Sequence, residues 1–233
     1  MTDESPLHGF QGDRLPAGPP ALPLAPSVAI GREVGARGGE IARRLGAKLG
    51  WPVYDRETLG YVSRQPEAVE SLLAELPPTV VPWIAGRLRG LHHDHILLDD
   101  SEYEREARLI LALGAKGEAI FVGRGAGYLL PRDTTLHVRV VAPLVDRVAY
   151  MAQWLRLSRE EAEEQVRVRS KLRAHFLATC VRPPADGLSA DMVLNSRALG
   201  EEVCVDLIIL ALRSKRGAAE EDLTESRLSG IES

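Results

Sequence analysis

Residues 27–44 read SVAIGREVGARGGEIARR. Ser27 to Ile30 form a short, mostly apolar stretch suited to a buried strand, and a glycine-rich bend follows it. Beyond the bend, Ile41, Leu45 and Leu49 recur every fourth residue, which marks one face of an amphipathic helix. Gly35, Gly38 and Gly39 allow the backbone to turn tightly and bring its N–H groups close to an anion. The start of the helix adds partial positive charge, and Arg32 and Arg37 add full charges. These are the ingredients of a phosphate cradle. They are also the ingredients of a tight strand-to-helix turn that holds nothing. The common phosphate-loop pattern G-x-x-x-x-G-K-[ST] is not met, because superposing the two turns puts Gly38 at the lysine position and Gly39 at the hydroxyl position.

Working outward, the same alternation repeats. Pro52–Tyr54, AIFVG (119–123), LHVRVVAP (136–143) and DMVLN (191–195) read as further strands. Helical patterns fall between them at 102–114, 144–155, 159–178 and 201–213, and Ser158 with Glu161 opens the third of these as a capping box. Strands separated by helices predict an α/β fold, a parallel sheet covered on both faces, with ligands at the carboxyl ends of the strands. Residues 61–100, broken by prolines, fit as a helical insertion after the second strand.

At ~150 residues per domain, 233 residues predict one domain with tails or an insertion. The stretch 1–26 holds six prolines and few large apolar groups, and 214–233 is charged and aperiodic; both read as disordered tails around a domain spanning 27–213. A net charge of −4 argues against a general nucleic-acid binder. No apolar run reaches the ~18 residues needed to span a bilayer. Two cysteines, Cys180 and Cys204, exclude a disulfide scaffold, and the expected location is the cytoplasm. No protein partner is indicated. HHDH (92–95) has no companion cluster to complete a metal site, and the glycine spacing after the first strand does not give the dinucleotide pattern G-x-G-x-x-G.

Three other segments could carry chemistry. In IFVGRGAGYLLP (120–131), Arg124 stands between glycines at the end of a strand, placed either to grip a phosphate or carboxylate or as a surface arginine. Asp55 follows the second strand and is either a ligand-contacting acid or a helix N-cap. Arg167, Arg169, Lys171 and Arg173 lie on one helix, as a solvated face or as a lid whose cations close over phosphates.

Taken in order, IGREVGARGGEIARRLGAKLGWPVYDRETL, FVGRGAGYLL and DMVLNSRALGEEVCVDLI resemble the cytidylate kinase-like family, relatives of bacterial cytidylate kinase among the P-loop nucleoside monophosphate kinases. The resemblance runs from about Val28 to Leu210. It implies a P-loop NTPase-type three-layer fold with a five-stranded parallel sheet of order 2-3-1-4-5, a monophosphate-binding insertion at 61–100 and a lid at 167–188. It also implies ATP and Mg2+ as cofactors and small nucleotides as substrates. Carried over, Gly35, Ala36, Arg37, Gly38, Gly39 and Glu40 would hold the ATP phosphates. Asp55, Arg105, Arg108, Arg124, Arg169 and Lys171 would face the acceptor, and Arg37, Arg124 and Arg173 would act in catalysis, with Arg37 standing in for the missing lysine. No protein metal ligand is implied; magnesium would be held mainly by phosphates and water. Two readings follow: a phosphotransferase acting on a CMP-like or related small acceptor, or a catalytically impaired nucleotide-binding sensor or interaction module with a kinase-like fold.

Overall fold

A computed structural model describes residues 22–183 and 190–229, the last fourteen of these (216–229) as backbone only. The first strand, β1 (Ser27–Arg32), enters a bend and leaves as helix α1 (Gly38–Leu49). Then come β2 (Val53–Tyr54), α2 (Arg56–Val62), α3 (Pro66–Ala74), α4 (Val80–His93) and α5 (Ser101–Lys116). The chain continues through β3 (Ile120–Val122), α6 (Ala126–Leu129), β4 (Thr135–Val141), α7 (Leu144–Leu155), α8 (Arg159–Thr179), β5 (Met192–Asn195) and α9 (Ser196–Ser229). The five strands form one all-parallel sheet of order β2-β3-β1-β4-β5.

Period-two alternation sorts the strand residues onto two faces. Val28 and Ile30 of β1, Ile120 and Val122 of β3, and Leu136, Val138 and Val140 of β4 pack against Ile41, Ala42 and Leu45 of α1 and Cys204, Val205 and Ile208 of α9. Their neighbours Ala29 and Phe121 face a second core built by α4, α5 and α6, where Ile84, Leu91, Ile110, Leu111 and Leu129 are buried. A smaller cluster, Val148, Met151, Ala162 and Val166, fastens α7 to α8. The centre of the molecule is therefore three layers with a hairpin of two helices leaning across the carboxyl edge.

Caps set where the helices begin. Ser158 and Glu161 form the predicted capping box of α8. Asp100 accepts from the N–H groups of Glu102 and Tyr103 at the start of α5, and those bonds hold its carboxyl below the usual range. The stretch 61–100 holds the end of α2 and all of α3 and α4, with Val80, Ile84 and Leu91 buried in the main core.

At the C-terminus the backbone breaks at Gly200 (φ 73°, ψ 164°), so the turn from Ser196 is separate from the helix that follows. That helix runs beyond residue 213, where the sequence reading places the start of a tail. Lys215 is tied to the fold, its Nζ donating to Thr135 O at 2.8 Å and to Asp191 at 3.0 Å. Of the proline-rich stretch, residues 1–21 lie outside the described residues, as do 184–189 of the lid region. Within 22–26, Leu24 N–H donates to Ala115 O. Among the described residues no helix is long and apolar enough to cross a membrane.

Candidate functional site

The bend between β1 and α1 is braced from one side. Gly35 has φ 82°, and a Cβ on it would stand 2.5 Å from the carbonyl oxygen of Arg147. Arg147 in turn donates to Ala142 O and Val34 O, and Ser196 Oγ lies 2.9 Å from Ala36 O. Glycine at 35 is needed both for the left-handed backbone and for the close approach. The N–H groups of Gly35, Arg37, Gly38 and Gly39 find no backbone acceptor among the described residues. Gly38 is buried while Gly35, Arg37 and Gly39 are partly exposed, and unpaired N–H groups at the start of a helix are the kind of donor that binds anions. Ala36 is buried beneath the bend, and the Glu40 side chain turns outward to Arg43 and Arg44 on its own helix.

The Arg37 side chain does not point at these donors. Its backbone is left-handed (φ 59°), which turns its side chain away to pair with Glu201 at 2.8 Å and to lie over the Tyr150 ring at 5.2 Å. The guanidinium holds the Glu201 carboxyl below its usual range. The expectation that Arg37 replaces the lysine is not met by its geometry, because a partner 164 residues away claims the charge.

Arg32, which sequence reasoning noted as a charge but left off the site, lies across the bend instead. A Cβ on Gly38 would stand 2.7 Å from Arg32 Cβ and 2.9 Å from its Cδ, so the arginine stem fills the space above Gly38. Its Nη1 reaches to 3.0 Å from where a Cβ of Gly123 would be, at the head of β3. Burial lowers the guanidinium's proton affinity, and the charge of Asp55 partly offsets this.

Arg173 arrives from α8 with its Nη2 3.9 Å from the Cβ position of Gly31. Burial first, and the charge of Arg32 second, push its pKa down to about 10. Among the described residues no carboxylate lies within ion-pair distance of Arg32 or Arg173. Asp55 acts on Arg32 and Glu33 on Arg173 only from beyond ion-pair distance, and two half-buried like charges so weakly compensated are electrostatically unfavourable. Arg173 lines a cavity of about 30 Å³ together with Gly31, Gly123, Gly127, Tyr128 and His137. His137, from β4, is 7% exposed and stands edge-on to Tyr128. Its pKa falls to about 4, chiefly through burial and then through Arg132, Lys215 and Arg139, with Asp191 opposing.

Arg124 is held differently from the open arginine the sequence suggested. Its Nε and Nη2 donate to the two carboxylate oxygens of Glu106 at 2.5 and 2.6 Å. The guanidinium lies over Phe176 of α8 at 4.2 Å and over Tyr103 of α5 at 5.2 Å, and the Tyr103 hydroxyl donates to Arg124 O. Asp55 is an N-cap: its Oδ1 accepts from the N–H groups of Glu57 and Thr58 and from the Thr58 hydroxyl. Arg105 and Arg108 are exposed on α5. Arg169 bonds to Gln165, Arg167 to Glu164, and Lys171 is exposed. The structure thus gathers the bend, Arg32, Asp55 and Arg173 at one edge. It leaves Arg37, Arg105, Arg108, Arg169 and Lys171 outside that cluster and locks Arg124 beside it.

The sequence of the β1–α1 unit and the strand order have a clear counterpart. Residues 27–198 match the cytidylate kinase-like family. The chain belongs to the cytidylate kinase-like family. No curated protein matches it significantly. Among solved structures, an uncharacterized protein from Eubacterium ventriosum is similar at 17% identity and a TM-score of 0.63, covering 81% of this chain and 98% of the other. A shikimate kinase from Acinetobacter baumannii, in complex with shikimate, is similar at 14% identity and a TM-score of 0.45, covering 82% and 94%. At 17% identity the likeness to the Eubacterium protein is one of fold alone. The cytidylate kinase-like family supports a phosphotransferase of the nucleotide-kinase type.

Arg32, Glu106, Phe176 and His137 are the residues that sequence reasoning missed. For Arg32 a signal existed: the loop that lacks its lysine carries an arginine six residues earlier. For the other three the signal is a long-range contact that spacing does not reveal.

Proposed function

We propose that this member of the cytidylate kinase-like family transfers the terminal phosphoryl of ATP to a nucleoside monophosphate of the CMP type or a related small acceptor. The observation that supports this most is the pair of guanidiniums without an ion-pair partner among the described residues, Arg32 and Arg173, near a bend whose main-chain N–H groups have no backbone acceptor among those residues. A polyphosphate supplies the negative charge this edge lacks. Phosphoryl transfer asks little covalent chemistry of a protein and depends on positioning and charge neutralisation. The bend amides would hold the donor phosphates, and the two arginines would meet charge that spreads over the transferring group. No cluster of three acidic, histidine or cysteine side chains among the described residues could hold a metal. Magnesium would act as a companion of the nucleotide, bound mainly by phosphate oxygens and water, and its charge would supply part of the neutralisation. Asp55, capped onto α2 and within electrostatic reach of Arg32, stands on the acceptor side.

The alternative, a nucleotide-binding module without turnover, draws on Arg124: its guanidinium is engaged by Glu106 and so is not presented to an acceptor. The two readings separate in one assay. The full chain is incubated with ATP, magnesium and a panel of nucleoside monophosphates, and ADP is measured. Transfer predicts ADP formation that depends on one acceptor class. ATP binding without acceptor-dependent ADP supports the module.

A further inference from the structure

We propose that Arg32 does the work for which a phosphate loop ordinarily carries a lysine, and that residue 38 is glycine because the Arg32 side chain occupies its space. The inference rests on the nucleotide-binding reading above and assigns one residue within it. An ordinary lysine at position 38 would start from the Cα of Gly38 and lie along the bend toward the outer phosphates. Here that starting point is closed by Arg32 Cβ and Cδ, at 2.7 and 2.9 Å from a Gly38 Cβ. The cation comes from the strand side instead, crosses the bend and ends beside Gly123, within electrostatic reach of Arg173.

The competing cations are spent elsewhere: Arg37 on Glu201, Arg124 on Glu106 and Arg147 on main-chain carbonyls with Glu33 nearby. Arg32 has Asp55 within electrostatic reach but no ion-pair partner among the described residues, and Arg173 opposes it. Such a group weakens the empty fold and gains from an anion. The anion it fits is the outer part of a polyphosphate, because the main-chain donors lie next to its stem. An arginine stays protonated where burial would neutralise a lysine, and its planar fork can hold two phosphate oxygens at once.

The test is a titration of the full chain with ATP and with inorganic tripolyphosphate, by calorimetry, alongside thermal melting. Three chains are compared: wild type, Arg32→Ala and the double variant Arg32→Gly with Gly38→Lys, which moves the cation to the ordinary position. Arg32→Ala is expected to lose at least about tenfold in affinity for both ligands, as a charge-assisted contact would, and to melt at or above the wild-type temperature. The double variant is expected to recover most of the loss. A merely structural arginine would instead lower the melting temperature and gain nothing from the relocated lysine. If wild type binds and Arg32→Ala binds equally well, this assignment fails while the functional reading stands. A folded double variant that binds no better than Arg32→Ala also overturns it. If wild type binds neither ligand, the nucleotide reading itself falls.

Discussion

His137 shows how one side chain can carry a pH dependence. It sits on the face of β4 opposite Val138, 7% exposed, among Tyr128, Arg173, Arg132, Arg139, Lys215 and Asp191. Its pKa of about 4 lies below the ordinary 6.5, so the folded chain refuses a proton that the unfolded chain accepts. Above pH 6.5 both states are neutral at this site and the stabilisation is fully present. As pH falls from 6.5 toward 4 the unfolded chain gains the proton first, and stability falls by an amount on the order of 3 kcal/mol. Urea midpoints at pH 4.5 and 7.5 check this: His137→Gln should shrink the difference between the two. An unchanged difference would mean the imidazole is solvated and titrates normally. Residue identity alone does not predict this. The strand pattern places His137 in β4, but only the packing of α6 against that strand makes the position dry.

Elements, by contrast, were legible wherever period and caps agreed. All five strands and helices α1, α5, α7 and α8 lie where alternation, fourfold spacing and the Ser158–Glu161 box put them. What the pattern could not supply is which element a cation answers to. The left-handed backbone at Arg37 sends its side chain to α9, and Glu106 of α5 captures Arg124 after β3. The Arg124–Glu106 pair, covered by Phe176, joins the β3 turn, α5 and α8 into one unit. Both side chains are largely buried, at 18% and 7% exposed, so removing one leaves the other's charge stranded. Arg124→Ala is expected to cost about 3–5 kcal/mol of stability. Removing both charges, with Glu106→Gln and Arg124→Gln together, should cost clearly less than Arg124→Ala. Equal losses from the single and double variants, read from denaturant unfolding, would contradict the clamp.

At the scale of the whole molecule, a chain of net charge −4 brings two guanidiniums without an ion-pair partner among the described residues, Arg32 and Arg173, to one edge of its sheet. The sheet order, legible through the family resemblance, sets that edge: β1 and β3 are adjacent and central, so their carboxyl ends bring the bend and Gly123 together. The α7–α8 hairpin then carries Arg173 across from the far end of the sequence. The domain's C-terminal limit was not legible, because the anchor at Lys215 is a contact with β4 and Asp191 rather than a periodic pattern. The central claim is that this edge holds polyphosphate through main-chain donors and guanidiniums. It is tested most directly by calorimetric titration of the full chain with magnesium–ATP and, separately, with adenosine. The account predicts that ATP binds and that adenosine binds at least about tenfold more weakly, since it lacks every charge-assisted contact. No heat with millimolar ATP, or equal affinity for the two, would contradict it.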